Sequence, residues 1–171
     1  FAGFIFVPLS PPEAHTHESA RHAEIMALLE ISPDTQSFYI ESNSTNVIFP
    51  IAVYHDMTHA SRFSANWFTP HLHTLPAAGR DFYKDYLGDA FAEDILRYQP
   101  ETLVYIKDGQ AGNVLDIFQD HPAFQEALSG YQEIKTVETN QIHFQGKIKD
   151  DMPKTRYVIY KRQQDNIEPT E

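Results

Sequence analysis

The chain divides into stretches where apolar residues recur every second position and stretches where they recur every third or fourth. It opens on an apolar run, Phe1-Ala2-Gly3-Phe4-Ile5-Phe6-Val7-Pro8-Leu9, ended by Pro8, Pro11 and Pro12. That run is shorter than a membrane span and lacks the basic flank of a signal peptide. It reads as a first buried strand, with the remnant of a membrane segment as the other reading. Phe1 stands where an initiating Met would, so the chain is expected to be processed or cut from something longer. His15 to Ile31 follows as a helix whose face carries Ile25, Leu28 and Leu29, stopped by Ser32-Pro33-Asp34. Ser37 to Glu41 reads as a short strand.

Val47 to Tyr54 is continuously apolar but holds Pro50, which predicts an irregular or edge segment in extended conformation. Asp56 to Phe68 fits a helix on the spacing of Met57, Ala60, Phe63 and Trp67, closed by Pro70. Asp81 to Tyr98 is the clearest helix. Phe82, Tyr86 and Ala90 make one apolar row, and Tyr83, Leu87, Phe91 and Ile95 make the next. Gln99-Pro100 ends it, and Thr102 to Ile106 follows as a buried strand. Val114 to Phe118 and Ala123 to Ser129 read as short helices, with Gly130 at a left-handed end position. Tyr131 to Thr139, Ile142 to Ile148 and Arg156 to Lys161 read as strands.

Alternating strands and helices followed by consecutive strands predict an α/β fold. The expected form is a three-layer, mostly parallel, Rossmann-like sheet with antiparallel strands at its C-terminal edge. An α+β arrangement is the competitor. Residues 1–162 are expected to form one domain and 163–171 a disordered polar tail.

Composition narrows the partners. Against 13 basic residues stand 24 acidic ones, a net charge of -11 that disfavours nucleic acid and anionic membrane surfaces. There is no cysteine, which excludes disulfides, iron–sulfur centres, thiolate zinc sites and cysteine nucleophiles. The same absence suits an oxidising compartment.

Nine histidines make metal chemistry worth weighing. His55 and His59 stand four residues apart, a spacing that puts two imidazoles on one face of a helix, and His71 or His73 could supply a third ligand. The glutamate of the zinc-hydrolase motif is missing. The stretch from Pro50 to Trp67 also carries Asp56, Arg62 and Asn66, so His55, Asp56, His59, Arg62 and Asn66 form the candidate ligand-binding set. In doubly wound sheets ligands gather where the chain leaves a strand end, which supports that choice. The plainer reading is an amphipathic helix with Trp67 in the core. Asp81, Asp85, Asp89 and Glu93 form a column at four-residue spacing that reads as a solvated stripe. Gly109 and Gly112, between a strand and a helix, are a weak candidate phosphate loop.

The passage Pro50…Tyr54…Ala60-Ser61-Arg62-Phe63…Trp67 resembles the soluble domains that end multi-span bacterial membrane proteins similar to lipid-linked-sugar glycosyltransferases of the GT-C architecture. Asp94-Ile95-Leu96-Arg97-Tyr98-Gln99-Pro100-Glu101-Thr102-Leu103-Val104 is similar to their helix–Pro–acid–strand passage. Phe118-Gln119-Asp120-His121-Pro122-Ala123-Phe124, with Leu128 and Tyr131, resembles their next helix pair. The likeness spans residues 36–161. It implies an extracytoplasmic, periplasmic-side domain behind transmembrane helices of an inner-membrane protein. The family's catalytic acid lies in an early membrane loop, so no catalytic residue carries over to this chain.

The leading expectation is therefore an accessory domain, non-catalytic by itself, of a polytopic membrane protein of the glycosyltransferase type. Its contact would be a glycan acceptor, a lipid-linked sugar or a membrane-protein partner. No cofactor is expected. The alternative is a self-standing α/β enzyme, metal-assisted through zinc or another divalent ion or nucleotide-binding, in which case a cytoplasmic location is open. A third reading is an interaction module using its Tyr- and Phe-rich surface.

Overall fold

A computed structural model describes residues 21–42, 45–66, 68–108, 113–140 and 154–163. The chain is α/β, built on one open, mixed five-stranded sheet. A first helix, α1, covers 21–28. Then follow β1 (Ser37–Ile40), α2 (Thr45–Tyr54), β2 (Thr58–His59), a 3-10 helix η1 (Thr69–Thr74) and α3 (Ala77–Tyr98). After these come β3 (Thr102–Asp108), α4 (Val114–Ile117), α5 (Pro122–Leu128), β4 (Tyr131–Thr139) and β5 (Thr155–Arg162). The strand order is β2-β1-β3-β5-β4. β2, β1 and β3 are parallel, and β5 and β4 join antiparallel.

Strand alternation sorts the core onto the two faces of the sheet. The register Ile40↔Val104↔Ile159 lies on one face and Tyr39↔Leu103↔Tyr160 on the other. Phe38, Ile40, Val104, Ile106, Tyr157 and Ile159 join Ile25, Met26 and Leu29 of the α1 region and Ile48 and Ile51 of α2 in one apolar cluster. Tyr39, Leu103 and Tyr105 join Leu87, Phe91 and Ile95 of α3, Val114 of α4 and Phe124 of α5 in the other. Burying an aliphatic or aromatic side chain contributes about 1.5–3 kcal/mol, so these clusters dominate the fold's stability.

Three local expectations change. Val47 to Tyr54 is not extended: it lies in α2, with Pro50 inside the helix. Ile48 and Ile51 are buried three residues apart, while Phe49 and Val53 face outward. This helical phase offers the sheet an apolar face, and that burial outweighs the hydrogen bond Pro50 cannot make. Asp56 to Phe68 is not a helix but a turn, the short strand β2, an irregular stretch and the approach to η1. Met57 belongs to the first apolar cluster and Ala60 to the second, so one helix face could not place both. Gly130 is not left-handed; α5 ends through Ser129, whose amide donates to the Gln125 and Glu126 carbonyls.

The long helix stops as its sequence predicts. Gln99 adopts φ 43°, the left-handed end position, and its amide donates to the Ile95 carbonyl at 2.9 Å. Its core-facing half begins at Leu87. Phe82, Tyr83 and Tyr86, expected on the buried face, are exposed, and by helical spacing Phe82 and Tyr86 point away from the buried row of Leu87, Phe91 and Ile95. The expectations for Phe1–Leu9, His15, His17, Trp67, Gly109–Gly112, Ile142–Ile148 and the tail after Gln163 fall outside the described residues.

α3 and α5 touch where Gly88 meets His121. A Cβ on Gly88 would lie 2.5 Å from the His121 ring. The ring cannot swing aside cheaply: it is buried, and its Nδ1 caps α5 by accepting from the Phe124 amide at 3.4 Å. Gly88→Ala is expected to destabilise the fold by about 1–3 kcal/mol in urea denaturation. Adding His121→Ala should then cost less than His121→Ala costs alone, since it removes the clash as well as the cap. Additive costs would show that the two helices are not pressed together here.

Candidate functional site

The candidate residues between His55 and Asn66 do not share a helix face. His55 and Asp56 form the turn that ends α2, with Asp56 at φ 53°. An Asp tolerates this left-handed conformation better than most residues. His59 closes β2, where its ring stacks on Tyr39 at 5.5 Å and tilts against Phe38. Burial pushes its imidazole down to about 4, against the pull of its hydrogen bond to the Ile40 backbone. Nε2 of both His55 and His59 is buried without a hydrogen-bond partner. His71 and His73 lie exposed on η1. Among the described residues no group of three or more His, Asp or Glu side chains is placed to hold a metal ion.

Arg62 and Asn66 anchor the loop instead. The Arg62 amide donates to Asp94 Oδ2 at 2.8 Å and its Nε to Asp94 Oδ1 at 2.9 Å, while its Nη2 reaches Glu93 at 2.7 Å. Asp94 is a carboxylate on the buried face of α3, so this pairing satisfies a group that would otherwise be costly there. The Asn66 amide donates to the Ser42 carbonyl at 2.8 Å, and its Nδ2 donates to the Tyr39 hydroxyl at 2.7 Å. Ser61 Oγ accepts from the Phe63 amide at 3.1 Å. These local and long-range bonds use the backbone groups that a helix over Asp56 to Phe68 would have needed.

At the crevice where such sheets receive ligands, the described residues place a buried carboxyl group. β1 leads into α2 on one face of the sheet and β3 into α4 on the other, so the switch point lies between their C-terminal ends. Glu41, the first residue after β1, sits there buried. Its Oε2 accepts from the Ile106 amide and its Oε1 from the Val114 amide, each at 2.9 Å. Burial pushes this carboxyl up to about 8, opposed by the two amide donors and assisted by Asp116. Asn113 closes the same loop: Nδ2 donates to the Lys107 carbonyl and Oδ1 accepts from the Asp116 amide, both at 2.6 Å. Glu41 carried one signal in the sequence, a lone acid directly after the apolar Phe38-Tyr39-Ile40.

The open concavity lies elsewhere. A groove of about 550 Å³ runs between the 62–75 segment and the N-terminal half of α3. Phe63 and Phe68 line it from the loop side, and Tyr83 and Tyr86 from α3. The buried Leu72 and Leu87, with Leu75, complete its apolar surface, and Arg62, Ser64 and His71 are its polar members. The sequence carried a signal for it: the apolar face of α3 is wider than one sheet contact needs. Of the predicted ligand set only Arg62 reaches this groove. No family model matches the chain, and no curated protein or solved structure is found to be similar to it.

Two outcomes follow from these contacts. Arg62→Ala strips Asp94 of its side-chain partner but keeps the amide bond, and should destabilise by about 1–3 kcal/mol in denaturant melts. An unchanged midpoint would free Arg62 for a binding role. For pH, the raised Glu41 carboxyl stabilises the fold below its unfolded value near 4.5, and that contribution is lost as pH rises towards about 8. The depressed His59 acts oppositely: its contribution is present above 6.5 and lost as pH falls through about 4. Stability should therefore decline between pH 6.5 and 8, by at most about 1.4 kcal/mol per unit for one proton. Glu41→Gln should flatten that decline and leave the acid-side loss, which His59→Phe should remove.

Proposed function

We propose that this chain is an accessory domain, non-catalytic by itself, of a multi-span membrane protein of the glycosyltransferase type. It works by holding a partner in the groove between the 62–75 segment and α3. The groove is the observation that carries this reading: it is an open, aromatic-lined concavity in a fold whose strand-end crevice is occupied by Glu41. The resemblance over residues 36–161 supports the membrane-protein context and the periplasmic side. The two apolar clusters, one against each sheet face, support a three-layer, Rossmann-like arrangement. The contact once expected through His55, Asp56, His59, Arg62 and Asn66 shifts to the groove, because His59, Arg62 and Asn66 are engaged in holding the loop and strand ends. A metal-assisted enzyme gains no support from the described side chains. No helix among the described residues is long and apolar enough to cross a membrane, so the anchoring helices of this reading would belong to another part of the protein.

The absence of cysteine makes a clean test possible. Ser64→Cys in the complete protein, with any cysteine outside these 171 residues replaced by serine, places a single thiol on the groove, and Gln132→Cys in the same background places one on the exposed side of β4. Coupling a bulky maleimide at position 64 is expected to abolish sugar transfer in native membranes, while the same label at 132 leaves it intact. Equal activity of both labelled proteins would overturn the role of the groove. The complete reading frame should also carry several apolar stretches of about 20 residues before Phe1.

A further inference from the structure

We propose that the outward face of α2 is covered by the chain's own apolar run, Phe1 to Leu9. α2, from Thr45 to Tyr54, contains no charged residue. Ile48 and Ile51 bury one side of it in the first apolar cluster. The opposite side is apolar as well. Phe49 and Val53 stand one turn apart there and are 52% and 72% exposed. Pro50 and Tyr54 form the adjoining row, with Tyr54 45% exposed. A helix that is apolar on both sides suits a place between two layers rather than at a surface. Among the described residues this side stays open, a patch of the kind that marks a contact.

What meets this face follows from how the chain enters α1. His22, in the first turn of α1, stacks its ring on Tyr54 at 5.4 Å. The residues before Arg21 therefore join the fold beside the C-terminal end of α2. Residues 10–20 link Leu9 to Arg21 and can span about 36 Å. The ten residues of α2 are only about 15 Å long. The run brought within reach offers Phe1, Phe4, Ile5, Phe6, Val7 and Leu9, with no charge to desolvate. Occupants from outside fit less well. One face of a ten-residue helix falls far short of the roughly 800 Å² per partner of a stable dimer. Helices that lie on lipid carry Lys and Arg along their polar face, whereas α2 has none, in a chain of net charge -11. The groove is across the sheet, since Phe63, Phe68 and Leu72 pack in the second cluster. The proposal thus stands apart from the groove reading, and it makes Phe1 to Leu9 part of the domain's packing rather than the end of a membrane segment.

The test places single thiols in the full 171-residue chain, which has no cysteine of its own. Val53→Cys reports on the α2 face, and Gln132→Cys on exposed β4 is the open reference. Maleimide is expected to label position 53 at least about tenfold more slowly than position 132. Adding Phe4→Asp and Phe6→Asp should bring the two rates within about twofold while a cooperative melt is retained. A second readout leaves Phe4, Phe6 and Val53 in place: a nitroxide on Ala2→Cys should broaden the amide signals of residues 49–54 and spare those of 82–87 beside the groove. Equal labelling of positions 53 and 132 would overturn the proposal, as would protection that survives Phe4→Asp and Phe6→Asp, or broadening at 82–87 instead of 49–54. Protection that grows with protein concentration would give the face to a second copy. Protection that appears only with phosphatidylcholine vesicles would give it to lipid. Either result overturns the run as its occupant.

Discussion

The pairing of Arg62 with Asp94 sets the shape of the surface on which function is argued. Asp94 is a carboxylate on the core side of α3, where an isolated charge is costly. Arg62 answers it twice, through its backbone amide and its guanidinium. That bond ties the stretch after β2 to the C-terminal part of a 22-residue helix. From there the chain runs outward through Phe63 and Phe68 into η1, leaving the groove between itself and Tyr83 and Tyr86. The loop's second anchor, Asn66 on Tyr39 and Ser42, ties the same stretch back to β1 and the residues that follow it. The groove is therefore bounded by a segment held at two points, which favours a site formed before its ligand arrives.

Glu41 plays the corresponding part at the strand ends. In open α/β sheets the crevice between oppositely directed connections is available to ligands. Here one carboxyl group spans it, joining β3 to the start of α4. The cost of burying that group is offset by two amide donors, and its proton affinity rises because burial outweighs them.

The aromatic content divides in the same way between structure and surface. Tyr39, Phe91, Tyr105, Phe118 and Phe124 form a chain of ring contacts inside the second cluster. Phe82, Tyr83 and Tyr86 belong to the same helix as Phe91 but are exposed. A single helix therefore serves both purposes, its C-terminal half packed on the strands and its N-terminal half presenting rings beside a row of carboxylates.

Pattern alone determined the elements whose apolar period matched one buried surface. The helix ending at Tyr98 and the two short helices before Gly130 were readable because each lays its apolar period on one face of the sheet, and the strands from Thr102, Tyr131 and Arg156 were readable as β-rich runs. The α/β class and the antiparallel edge followed from their order. Segments outside these elements whose residues serve different surfaces were not readable. Met57 and Ala60 look like one helix face but belong to clusters on opposite sides of the sheet, and Val47 to Tyr54 looks like a strand until half of it is found facing outward. The site was hidden for the same reason. His59 and Asn66 stand out by residue type but are engaged with the rings and backbone around β1, while the groove joins residues about 20 apart in the chain. Local spacing reports how a segment meets its first neighbour; only the closed tertiary structure decides which polar groups are already paired and which surfaces are left over.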